Sequence, residues 1–214
     1  MALTGFDPSV VQSSINAVIN AYNELMQALG NDMQTQFIVG MSDKWACNEA
    51  INFFNQSFKP SIDSLITSSD STFESVVNSM NSAGRAWAED TKSSYNPVSF
   101  SPRNIKMDTG SIVENIGGVR GIDLANAGTI AAKLPQIASS ASSALSNAQV
   151  AVQNCGFIGG NQASNLINSL GTIKTKISQA TNELTDATKS AIDATVANYG
   201  DLEGRVSQAF STQG

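Results

Sequence analysis

The chain has 214 residues, 41% hydrophobic and 14% charged, with a net charge of −6 at pH 7. That supports a core but leaves the charged fraction far below the usual quarter, so Ser, Asn, Ala, Thr and Gln make a largely neutral polar surface. No Lys/Arg cluster invites nucleic acid, and the absence of histidine removes the commonest general base and metal ligand.

The N-terminus, Met1 to Pro8, has neither a basic segment nor an apolar one, so it does not read as a cleavable signal peptide. No run of eighteen apolar residues suggests a transmembrane helix. The expectation is a protein that stays in the cytoplasm or leaves by a route using no such peptide.

Helix one is expected from Asp7-Pro8, an N-cap followed by proline in the first turn. Its stripe is Val11, Ile15, Val18, Tyr22, Leu25, Leu29, alternating steps of four and three as in a coiled-coil seam. Met33 and Phe37 follow at steps of four, so the seam drifts. Gly30-Asn31-Asp32 is a candidate kink. The first turn is Val39 to Ala50, with Gly40 as breaker and Ser42-Asp43 as capping chemistry.

Helix two is expected over about Asp43 to Ala88. Its stripe is Ile51, Phe54, Phe58, Ile62, Leu65, Ser69, Phe73, Val76, Met80, Ala83, Trp87, and Pro60 should kink or break it near Lys59. Residues 89–122 carry turn chemistry at Tyr95-Asn96-Pro97, Ser99 to Pro102 and Gly117-Gly118. They read as a linker, with a short helix over Ser111 to Ile116.

Helix three should start near Asp123, with Ala127, Ile130, Leu134, Ile137, Ala141, Ala144 or Leu145, Ala148 and Val152 on one face. Pro135 either kinks it or marks its true first turn. A second turn spans Asn154 to Asn161. Helix four runs to about Tyr199, with Leu166, Leu170, Ile173, Ile177, Leu184, Ala187, Ala191, Ala194 and Asn198 near one face. The class is therefore all-α: two long helix-turn-helix hairpins, 1–88 and 123–203, packed as an elongated four-helix bundle. The linker is 89–122 and a C-terminal tail 204–214. With Trp45 laid on Ile158, Asn48, Ala50 and Asn52 recur as Asn161, Ala163 and Asn165. The apolar stripes then fall out of register, which favours coincidence over duplication.

Trp45 stands at the mouth of helix two, where it either covers the open hairpin end as core or is an exposed docking residue. The triplet Trp45-Ala46-Cys47 between two long helices resembles the Trp-x-Gly turn of the WxG family, the small ESAT-6-like hairpins of type VII secretion systems, with Cys47 at the glycine. The second turn offers Ile158 and Gly160, with the glycine and without the tryptophan. Tyr199 and Glu203 match the family's Tyr-x-x-x-Asp/Glu motif after the hairpin, which the secretion machinery reads. At i and i+4 on a helix they would share a face. Alternatively, Tyr199 is an edge residue and Glu203 a solvated charge.

The resemblance implies a non-enzymatic secreted protein, an exported substrate or export partner, cytoplasmic before export, without metal or cofactor. Its partners would be the secretion machinery and a co-exported protein, with self-association possible. The other readings are a self-assembling structural subunit of a filament or phage, and a membrane-acting toxin, which the few basic residues disfavour. In the family, paired hairpins run antiparallel, which would put the two turns at opposite ends. Helices of about thirty residues are about 45 Å long, and a disulfide needs Cα atoms within about 7 Å. Cys47 and Cys155 are then expected as separate free thiols, with the linker climbing the bundle.

Overall fold

The computed structural model describes residues 7–155 and 160–211, with side chains described as far as Tyr199. The described residues are all-α apart from one two-residue ladder and an isolated bridge. Helix α1 (Pro8–Met26) starts as expected, with the Asp7 carboxylate accepting from the Ser9 amide. It continues without a break as a π-helical segment, Gln27–Ile38, and ends in α2 (Val39–Met41).

The stripe explains this winding. From Leu25 the buried residues are Leu29, Met33, Phe37 and Met41, all at steps of four and at most 1% exposed. In an α-helix each such step overshoots a full turn by about 40°, so four steps would carry the stripe roughly 160° round. A π-helix closes its hydrogen bonds over one more residue and has a wider turn. The Val39 amide accordingly bonds to the Gln34 carbonyl, five residues back. The expected drift is taken up by the backbone.

The same device recurs in the second hairpin arm. Helix α3 (Asn48–Asn52) passes into a π segment, Phe53–Phe58, and then into α4 (Lys59–Thr91). Ala50, Phe54, Phe58, Ile62 and Ile66, again at steps of four, are all buried. Pro60 falls in the first turn of α4. The wide turn before it accommodates a ring that would clash in continuous α-helix. Phe37 stacks on Phe58 with centroids 4.7 Å apart and tilts against Phe54 at 5.6 Å, so the two π segments face each other.

Four differences from the sequence reading stand out. Helix two begins at Asn48 rather than Asp43, because Trp45–Ala46 (β1) is extended and pairs antiparallel with Gly121–Ile122 (β2). At its other end the stripe slips: Asn81, Gly84 and Ala88 are buried, whereas Trp87 is 41% exposed. No helix forms over 111–116; the chain turns there and closes a bridge between Ile116 and Val119. The fourth helix runs on to Ser211, through the stretch read as tail.

Asp123 caps α5 (Leu124–Ala131), and Pro135 lies in the first turn of α6 (Lys133–Gln153), the second of its two expected roles. The α6 face is buried as read. Helix α7 (Gly160–Ser211) departs from the expected face in its second half. Thr181, Thr188 and Thr195 are buried there, while Ala194 and Asn198 are exposed. Each threonine hydroxyl bonds a carbonyl four residues back, which hides the polar group and leaves a methyl for packing.

The helices pack in a ring, α1 on α6, α6 on α7, α7 on α4 and α4 on α1. The α1–α6 pair is antiparallel, since Asn147 bonds Glu24 and Ile130 packs over Gly40. So is the α4–α7 pair, since Asn198 bonds Glu49 of α3 while Trp87 and Gln162 line one groove at the far end. The first turn and the end of α7 thus lie at one end of the molecule, and the second turn at the other. Cys47 and Cys155 are both buried and are not joined in a disulfide.

Residues 93–120 run back along the outside of the α1–α4 groove as an extended strap. Tyr95 covers Gly84, where an added Cβ would sit 2.5 Å from the ring, and Ile105 covers Gly30, where it would sit 2.6 Å from Cδ1. Gly84→Ala should therefore cost about 1–3 kcal/mol through overpacking. Gly128→Ala, on α5 with nothing within 4 Å, should be neutral or stabilise by up to about 1 kcal/mol. Urea denaturation of both variants checks this; equal midpoints would show that the strap does not press on α4.

Candidate functional site

The end of the molecule that carries the first turn holds most of the residues singled out above. The turn closes through Ser42 Oγ to the Val39 carbonyl (2.7 Å) and the Lys44 amide to the Met41 carbonyl (2.9 Å). The Asp43–Lys44 ion pair, 3.0 Å, is largely exposed and adds little. The β1–β2 ladder ties the turn to the end of the strap, with the Asp123 amide donating to the Lys44 carbonyl at 2.8 Å. Gly121 has φ +152° there, a conformation that favours glycine.

Trp45 is fully buried. Its ring stacks on Phe53 (5.7 Å) and meets Phe54 edge-on (6.1 Å). Its indole N–H donates to Thr195 Oγ1 at 3.1 Å, and that hydroxyl donates to the Ala191 carbonyl at 2.9 Å. Trp45 is thus core at the hairpin end, and it also clamps the turn onto α7. Ala46 and Cys47 are buried beside it.

Cys47 Sγ lies 3.7 Å from Thr195 Oγ1. Burial pushes its thiol pKa up, and hydrogen bonding to the Glu49 carboxylate adds to this, so it is a protonated packing residue at neutral pH rather than a nucleophile. Burial opposes ionisation of Glu49. Its own backbone amide, the Cys47 thiol and Asn198 Nδ2 (2.7 Å) nevertheless hold its pKa below the usual glutamate value.

Tyr199 is half-buried against the core at the same end. Its hydroxyl pKa is raised by burial and by the neighbouring Cys47 and Glu49. The structure thus brings Trp45, Ala46, Cys47 and Tyr199 together. Glu203 lies on α7 with its side chain outside the described residues, and Ile158 lies outside them altogether. Gly160, the first residue of α7, is at the opposite end, so the two turns do not form one site.

Beside the turn, Asp43, Lys44, Ile116, Val119 and Arg120 line an open cleft. Val119 is 70% exposed and Ile116 44%, and Arg120 pairs with Glu114 at 2.5 Å. Among the described residues no group of His, Cys, Asp and Glu could hold a metal ion, and no helix is long and apolar enough to cross a membrane. What the arrangement offers is an end surface that mixes apolar groups, Ile116 and Val119, with charges of both signs, Asp43, Lys44, Glu114 and Arg120.

Sequence reasoning missed Thr195, Glu49 and Asn198, which join the turn to α7. The recurrence Thr181, Thr188, Thr195 could have found the first, had threonine been allowed on the buried stripe. Glu49 and Asn198 carry no such signal, because their pairing depends on the antiparallel packing.

No protein-family model, characterised protein or solved structure matches the chain.

Trp45→Ala should destabilise the protein by about 3–5 kcal/mol, the range for a large core truncation. Thr195→Val, which strands the indole N–H, should cost about 1–3 kcal/mol, and Thr195→Ser should restore most of that. Denaturant unfolding reads all three. A Trp45→Ala variant as stable as the parent would remove the clamp.

Proposed function

We propose that this is a non-enzymatic secreted helical protein of a type VII secretion system, an exported substrate or an export partner, held in the cytoplasm until export. The end surface at the first turn is what the machinery or a co-exported partner reads. The observation supporting this is the convergence of the Trp45-Ala46-Cys47 turn with Tyr199, two stretches far apart in sequence that the resemblance singles out. They are joined by the Trp45–Thr195 and Asn198–Glu49 bonds.

The roles within the surface differ. Trp45 is fully buried and cannot touch a partner in the folded protein; it positions the turn. The accessible groups are the exposed Asp43, Asn48, Val196 and Asn198, the half-buried Tyr199, and Ile116 and Val119 of the strap. A partly apolar surface carrying charges of both signs suits recognition by buried area together with charge pairing, the second of which salt weakens.

Export from the native host tests the reading. The double variant Tyr199→Ala, Glu203→Ala should remain in the cytoplasm with an unchanged circular dichroism spectrum, because Tyr199 is only half-buried. Normal secretion of the folded double variant would take away the local basis of the assignment.

A further inference from the structure

The strap is held in a manner that a covalent connection does not require. Side chains of α1, of the π segment that continues it and of α4 bond its main chain between Asn96 and Asp108. Asn81 bonds residue 98 through both ends of its amide, Nδ2 to the Val98 carbonyl and the Val98 amide to Oδ1, each 2.9 Å. Gln34 does the same to residue 108, Nε2 to the Asp108 carbonyl and the Asp108 amide to Oε1, each 2.8 Å. Between these two clamps, Asp70 Oδ2 accepts from the Asn104 amide (3.1 Å) and Asp63 Oδ1 from the Met107 amide (2.8 Å). The Tyr22 hydroxyl accepts from the Arg103 amide and donates to Asp70, each at 2.6 Å.

Such bonds read an extended backbone whatever its side chains. Selectivity comes from a few seats. Gly84 leaves room for the Tyr95 ring, and Gly30 for Ile105. Phe100 meets Tyr22 edge-on at 4.8 Å. The seated part is bounded by residues suited to turning, Lys92 with φ 54° on one side and Gly117 and Gly118 with φ 58° and 85° on the other.

We propose that the α1–α4 groove is a peptide-binding site whose ligand is a segment with the anchor pattern of residues 95–109, extended on either side of one left-handed residue, Asn104 with φ 49°. In the monomer this segment occupies the groove in cis. The same segment of a second copy is the occupant in trans. Tethering at both ends gives the cis segment a high effective concentration, so the intact monomer is self-occupied. The site is independent of the secretion reading: its test uses purified protein and no export.

The experiment uses the full chain with protease sites inserted after Ser93 and after Ser111, cut in the folded state. The cut segment should co-elute with a still-helical bundle. A labelled synthetic peptide of residues 93–111 should displace it with saturable fluorescence anisotropy. Asn81→Ala with Gln34→Ala in the groove should weaken peptide binding at least about tenfold. Tyr95→Ala with Ile105→Ala in the peptide should do likewise, whereas replacing Ser99 and Ser101 by Ala should leave affinity unchanged. Met107 and Ile112 of the strap belong to the buried core cluster, so loss of helicity on cutting would overturn the proposal by showing that the helices cannot hold their fold without the strap's covalent ends. So would a peptide that never binds saturably, or one that binds equally well without its anchors.

Discussion

The structure depends on a mismatch between the spacing of its apolar residues and the pitch of the α-helix. Leu25 to Met41 and Ala50 to Ile66 both place buried groups at steps of four. The hydrophobic gain of keeping every one of them inside, about 1.5–3 kcal/mol for each large side chain, exceeds what α-helical hydrogen bonding adds over π winding. The backbone yields, the two widened segments meet through Phe37, Phe54 and Phe58, and that aromatic cluster forms the floor on which Trp45 rests.

The second organising element is a way of burying polar groups with every hydrogen bond met. Along α7, threonine hydroxyls return to their own helix. Along the strap, amide and carboxylate side chains bond main chain. No buried side-chain nitrogen or oxygen among the described residues is left without a partner. A sequence with few charges and many Ser, Thr, Asn and Gln residues is thereby folded with its buried hydrogen bonds accounted for.

Much of this was legible in the chain, for identifiable reasons. The stripes on α1 and α6 were read correctly, because periodicity reports burial directly, and that on α4 held from Phe54 to Met80 but slipped at its end, where Trp87 is exposed and Ala88 buried. The extended conformation at Trp45–Ala46 was not legible, since it is set by pairing with Gly121–Ile122, distant in sequence. Nor was the ordered strap: each of its bonds needs a partner on α1 or α4, and Pro, Ser and Asn in a row look like any loop. At the candidate site Trp45 and Tyr199 could be named from their neighbours, but that they meet follows only from the antiparallel packing, and Thr195 was masked by counting threonine as polar.

The π winding of Gln27–Ile38 also alters how the chain tolerates changes in length. In most proteins a lost residue is harmless in a loop and ruinous in a helix. Here one residue fewer in the π segment would let α winding return with little loss of hydrogen bonding. The phase further on would hardly move, because eleven residues at about 100° each turn nearly as far as twelve at about 90°, so the turn bearing Trp45 would keep its direction. One added residue has no such compensation: it would rotate Met41 and the end surface by about 90–100° and change what that surface presents, so this stretch tolerates a loss better than a gain.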